Sequence, residues 1–318
     1  MENIGRQEAE VLLEKPTTDE LIAPSFFEEA EEAPFEDFLD MVENKLATME
    51  KNDNETNEDY LNRVGEEKKL FLENIKDEKN KNAAEIMFDA QGYVNQLNLG
   101  LEKGDLPIKL KGSELQKDVA NFIFKNNNKE EVAELWRIYD KFFKLGGRKA
   151  VEKGEGMKSA ILSMVGLKKI LTKNYVVDVI FTEPNIDVFY SVDVIAMANI
   201  ENDEERKALL FQIKSLNGEK ITDVIWEKFD SEDFGWNTKF GEKENNFKKG
   251  CGKYFNSNAD IFSKIDKSNI SAIFTRLPIK FNEKASVDIT GEPREELEKY
   301  IVSKIDDGNL SLVKRNKR

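Results

Sequence analysis

The sequence predicts an α/β chain, in which helices flank a mixed sheet after a helical region and an acidic leader. Three observations predict it. Acidic charge is concentrated at the start of the chain. Apolar residues recur at helical spacing over 58–150. From about 154, apolar β-type runs are interleaved with helical stretches.

Residues 1–60 hold 19 Asp/Glu and 4 Lys/Arg, whereas 61–318 hold 43 acids and 44 bases, so the net charge of −14 belongs to the leader. The leader, about 1–57, is Glu-rich, is broken by Pro16, Pro24 and Pro34, and is expected to be disordered. Within it Phe35, Phe38, Leu39, Val42 and Leu46 fall at helical spacing, which allows a short amphipathic helix over 35–49. Its two readings are a solvating tail and a segment that docks a protein partner or competes with a polyanion for a basic groove.

Between 58 and 150 the expected helices are about 59–76, 80–98, one opened by the capping box Ser113-Glu-Leu-Gln116, and one beginning after Asn128. The last carries Val132, Leu135, Trp136, Tyr139, Phe142 and Phe143 as one apolar stripe and stops at Gly146-Gly147. A helix over 155–172 follows. Strands are then expected at Tyr175–Phe181, Val188–Ala198, Ala208–Ser215 and Ser271–Leu277, with helices at about 252–265 and 295–305. The order is αβββαβ, which defines a domain over 151–310 ahead of a basic tail at 311–318.

Composition narrows the chemistry. No apolar run approaches the ~18 residues of a spanning helix, and the first twenty residues carry six acids and no apolar stretch. No membrane association and no signal peptide are therefore expected, and the location is expected to be cytoplasmic. A single cysteine, Cys251, excludes a disulfide framework and a multi-thiolate zinc site. The absence of histidine removes the Ser-His-Asp triad, the Cys-His pair and histidine-ligated metals together. Carboxylates, amides, lysine, hydroxyls and a hard cation remain.

Two polar interruptions in apolar strands carry that chemistry. Asp193 sits in Val192-Asp193-Val194-Ile195, and Gln212 and Lys214 sit in Leu209–Ser215. Residues two apart in a strand share a face, so Gln212 and Lys214 point the same way. In a hairpin Asp193 lies beside them. A carboxylate, an amide oxygen, the Ile213 carbonyl and an ammonium then converge, a set suited to Mg²⁺ (or Mn²⁺) and a phosphodiester. The bland alternative is a structural Asp193–Lys214 salt bridge.

Asp193 followed 19 residues later by Gln212-Ile213-Lys214 resembles the PD-(D/E)XK, or restriction-endonuclease-like, nuclease superfamily in a Q-X-K variant. Pro184-Asn-Ile-Asp187 resembles the loop that often precedes the motif aspartate. The resemblance spans roughly 150–280 and implies a restriction-endonuclease-like core and Mg²⁺-dependent hydrolysis of nucleic acid, DNA first. It makes Asp193 and a glutamate early in the first core helix metal ligands, with Gln212 and the Ile213 carbonyl assisting and Lys214 orienting water or neutralising charge. Glu155 is the best match for that glutamate, followed by Leu162 and Gly166, and Glu152 is second. Gln212 stands where an acid is usual, so Asp193 and Glu155 must supply the negative charge. Inactive relatives exist, which gives the alternative of a catalytically inactive binding or scaffold protein whose leader docks partners.

Lys239, Lys243, Lys248, Lys249 and Lys253 interleave with Trp226, Trp236, Phe240, Phe247, Tyr254 and Phe255, a composition suited to phosphate contacts and base stacking. The plainer reading puts the aromatics in the core and the lysines in solvent. Gly250-Cys251-Gly252 reads as a hinge with Cys251 a bystander. Oligomeric state is open, and cleavage of two strands would suit a dimer.

Overall fold

The computed structural model describes residues 27, 33–49, 51–52, 54–98, 105–126, 128–199, 206–216, 225–230, 241–258, 265–278, 280–281, 284–307, 310 and 312–315. The chain divides into two compact units, Met1–Lys81 and Asn82–Arg318.

In the first unit α1 spans Phe35–Ala47 and α2 spans Asn57–Glu73. Glu36 and Asp37 in the first turn of α1 and Lys45 in the last complement the helix dipole. The Thr56 hydroxyl caps α2 by accepting from the Asp59 amide at 3.1 Å. Lys45 is buried and pairs with Glu67 of α2 at 3.1 Å, and Glu67 also holds Arg63. Phe38, Leu39, Val42 and Leu46 are buried too. The helix expected over 35–49 is present at Phe35–Ala47, its apolar stripe buried, which corrects the expectation of disorder to residue 57 over this stretch. Phe35 is half-buried, with the Lys79 ammonium 4.8 Å from its ring centroid. Most of the rest of the leader lies outside the described residues.

Four helices lead to the sheet: α3 (Glu78–Asn98), α4 (Leu106–Lys125), α5 (Lys129–Leu145) and α6 (Gly147–Asn174). The Asn128 side chain caps α5 by accepting from the amides of Glu130 and Glu131. Gly147, at φ 75°, turns the chain directly into α6, which therefore begins two turns before the expected 155. A Cβ at Gly154 would sit 2.6 Å from the Phe143 ring, so α5 and α6 pack closely there. The helix expected to open at Ser113 instead opens at Asp105 with proline in its first turn, and Ser113 is buried mid-helix.

The sheet has order β1-β2-β3-β5-β4, built from β1 (Val177–Phe181), β2 (Val194–Asn199), β3 (Arg206–Leu216), β4 (Ile225–Asp230) and β5 (Ile270–Pro278). β1, β2 and β3 are antiparallel neighbours, β5 runs parallel to β3, and β4 closes the edge antiparallel to β5. Helix α7 (Pro184–Tyr190) precedes β2, α8 (Glu242–Ser257) precedes β5, and α9 (Glu295–Asp307) follows. Ile195, Leu210, Ala272 and Phe274 form a core with Phe247, Cys251 and Tyr254 of α8. Elsewhere the Lys168 ammonium of α6 lies 4.2 Å and 4.5 Å from the ring centroids of Phe124 and Phe181.

The strand expected over 188–198 starts only at Val194. Pro184 opens a helix, and Ser191 ends it in the left-handed region at φ 58°. The helix expected at 252–265 is α8, ten residues earlier, and β4 was not foreseen. Gly250-Cys251-Gly252 is inside α8 rather than a hinge. In the tail, Lys314 bridges to Tyr175 and the Arg315 side chain donates to the Tyr175 carbonyl at 2.9 Å.

Asp118 of α4 provides a test of the helical layer. Burial, with Asp89, Glu85 and Glu114 nearby, pushes its carboxyl up to about 7. The folded chain therefore retains a proton that the unfolded chain releases above about pH 4, and stability falls as pH rises toward 7. Asp118→Asn should raise the thermal midpoint by about 2–5 °C at pH 8 and leave it unchanged near pH 4. An equal shift at both pH values would contradict this account.

Candidate functional site

Asp193 lies one residue before β2, where the strand meets β3. Its amide donates to the Phe211 carbonyl at 2.8 Å, and the Thr182 amide donates to its carbonyl at 3.1 Å, so its backbone is held from both neighbouring strands. Its carboxylate accepts from the Ile213 amide at 2.6 Å. The side chain is 8 % exposed. Burial pushes its carboxyl up to about 8, Lys214 pulls it down, and Asp187, within hydrogen-bonding reach, raises it again. Asp187 comes from the short helix α7 and is itself held by the Ser113 hydroxyl of α4, which donates at 2.6 Å. Two carboxylates from adjacent segments thus share one spot, and an accessory helix fixes the outer one.

The pair opens on a cavity of about 880 Å³. Lys214 lines it from β3, Arg276 from β5 and Lys243 from the first turn of α8. Lys109 of α4 and Lys149 and Lys153 of α6 form the facing wall. Among the described residues, these six cations line the cavity beside the carboxylates of Asp187, Asp193 and Glu152. The cavity is therefore cationic, although the domain around it is nearly balanced in charge. Arg276 is held by an ion pair with Glu244 of α8, and Glu152 pairs with Arg148 at 3.0 Å.

The sequence-derived residues are distributed unevenly around this centre. Asp193, Ile213 and Lys214 line the cavity together. Gln212 is buried and is not among the lining residues. Glu155 is exposed on α6 and lies off the cavity, whereas Glu152, one turn earlier on the stripe with Gly156 and Ala160, lines it. Among the α8 lysines only Lys243 reaches the cavity. Lys248 is 1 % exposed, with its ammonium 5.0 Å from the Phe229 ring centroid. Lys249 and Lys253 are exposed, and Lys239 lies outside the described residues. Phe247 and Tyr254 belong to the core, so the aromatic part of the stacking surface is not presented there. Cys251 is buried, and burial drives its thiol upward, so it carries no nucleophile.

Sequence reasoning missed Ser113, Arg276 and the wall of Lys109, Lys149 and Lys153. The signal for the wall was present on α6, where 149, 152/153, 156 and 160 recur at helical spacing. Asp187 was noted only as part of a loop. Among the described residues, no group of three or more acidic, histidine or cysteine side chains is gathered for a metal ion, and no helix is long and apolar enough to cross a membrane. The chain matches no family model, no curated protein and no solved structure.

Proposed function

We propose that this chain is a divalent-cation-dependent nuclease that hydrolyses phosphodiester bonds in nucleic acid, with DNA as its first substrate. One observation carries the reading: two neighbouring carboxylates, Asp187 and Asp193, and Lys214 line one cavity together with further cationic side chains. The run α6-β1-β2-β3, then α8 and a β5 parallel to β3, supports it, being the order expected of a restriction-endonuclease-like core with α7 and β4 added.

The donor set fits Mg²⁺ or Mn²⁺ in part. Asp193, Asp187 and the Ile213 carbonyl are hard oxygens, and Mg²⁺ binds through one or two carboxylates while keeping several waters. Asp193 and Asp187 would hold the ion. Glu152 is closer to hand than Glu155, and Gln212 is set aside as a ligand. When bound, the ion polarises the phosphate and lowers the pKa of water. The chain's own contribution is positional. Lys214 places an ammonium where charge develops on the phosphate, Lys149 and Lys153 attract and orient the backbone, and Ser113 fixes Asp187.

Supercoiled plasmid and a labelled single strand, each incubated with Mg²⁺, Mn²⁺ or EDTA, test the proposal. Metal-dependent cleavage is expected, and binding without cleavage under every condition would overturn it. The small number of carboxylates at the site favours a second reading, a non-catalytic nucleic-acid-binding domain, and that outcome would select it. Either way, Lys149→Glu/Lys153→Glu should weaken binding about tenfold at low salt and flatten the salt dependence of affinity. An unchanged salt slope would remove the α6 wall from the interface.

A further inference from the structure

We infer that the cavity takes a single unpaired nucleotide, so that the preferred substrate is a single strand or a frayed strand end rather than an intact duplex. This deepens the nuclease reading and rests on it. The Asp193 carboxylate does not project from a surface. Asp193 is 8 % exposed, and its cavity is walled by α4 and α6 on one side and by the β3/β5 edge with α8 on the other. A volume of about 880 Å³ is in the range of small-molecule pockets. A duplex lying on the rim would keep its scissile phosphate away from the floor, whereas one strand can enter.

The lining is divided as a nucleotide is. Ile108, Met157, Ala160 and Met164 give an apolar side on α4 and α6, suited to a base, while Lys214 and Arg276 supply cations for the phosphate. Gly156 lines the cavity within α6, and a Cβ there would meet nothing within 4 Å. A helix gains from losing a mid-helix glycine, so a large side chain at 156 should fill the cavity without disturbing the fold.

The experiment measures binding of a fluorescent 12-nucleotide single strand, the same sequence as a blunt duplex, and dAMP as competitor. Ca²⁺ replaces Mg²⁺, and wild type is compared with Gly156→Trp and Lys109→Glu. The single strand should bind about tenfold tighter than the duplex, and Gly156→Trp should remove that preference while the thermal midpoint holds. Lys109→Glu, a change at an exposed position, should weaken the single strand more than the duplex and serves if Gly156→Trp misfolds. Duplex binding that is equal or tighter, and insensitive to both variants, would overturn the inference. So would dAMP binding as tightly as the oligonucleotide, which would make the pocket a mononucleotide site. Neither result removes the nuclease reading, which fails separately if wild type cuts no nucleic acid with Mg²⁺ or Mn²⁺.

Discussion

Lys214→Ala should lower the Mg²⁺-dependent cleavage rate about 10²–10³-fold while leaving strand binding within about threefold of wild type. The first figure is the usual cost of removing one preorganised charge from a transition state. The second follows because Lys214 is one of several cations lining the cavity, and ground-state attraction is shared among them. Lys214 also pulls down the Asp193 carboxyl against burial. In metal-free protein the variant should therefore hold Asp193 protonated to higher pH than wild type. Single-turnover rates measure the first effect, and NMR titration of the Asp193 carboxyl without metal measures the second. Identical titration curves would show that Lys214 does not govern the ionisation of Asp193.

Gly250→Ala should cost about 2–4 kcal/mol and lower the thermal midpoint by about 5–15 °C. A Cβ at 250 would lie 2.1 Å from the Tyr190 carbonyl oxygen and 2.7 Å from its carbon. Backbone cannot yield as a flexible side chain does, so α7 and α8 must separate. Tyr190 is the last residue of α7, the helix that carries Asp187. The same substitution should therefore reduce cleavage below what partial unfolding explains, through displacement of Asp187 from Asp193. Thermal melts beside activity at 20 °C separate the two effects. A variant that melts like wild type would contradict the close approach of the two helices.

What was legible in the sequence was what local pattern encodes. The cap at Asn128, the stop at Gly146-Gly147 and the apolar stripe of α5 are signals within one element, and they appear as expected. The runs Val177–Phe181 and Arg206–Leu216 are apolar enough to read as strands. Signals that need a partner were misread. Ser113 resembles a helix start, yet its hydroxyl is used 74 residues away on Asp187. Gly250 resembles a hinge because its reason, the Tyr190 carbonyl, is on another helix. Val188–Tyr190 resembles strand but is helical, because Pro184 sets the conformation upstream. For the site, Asp193 and Lys214 were visible as polar residues where a strand should be apolar. The cationic wall was not, since Lys109, Lys149 and Lys153 sit among ordinary surface lysines and only the packing of α4 and α6 against the sheet makes them one surface.

The nuclease proposal stands or falls on whether the Asp193 and Lys214 side chains form a hydrolytic centre. The most direct measurement is cleavage of a labelled single strand in Mg²⁺ by wild type, Asp193→Ala and Lys214→Ala under single-turnover conditions, with binding in Ca²⁺ recorded for each. Wild type should cut, both variants should lose about 10² or more of the rate, and all three should still bind. Equal rates in the three proteins would contradict the claim and return Asp193 and Lys214 to a structural role.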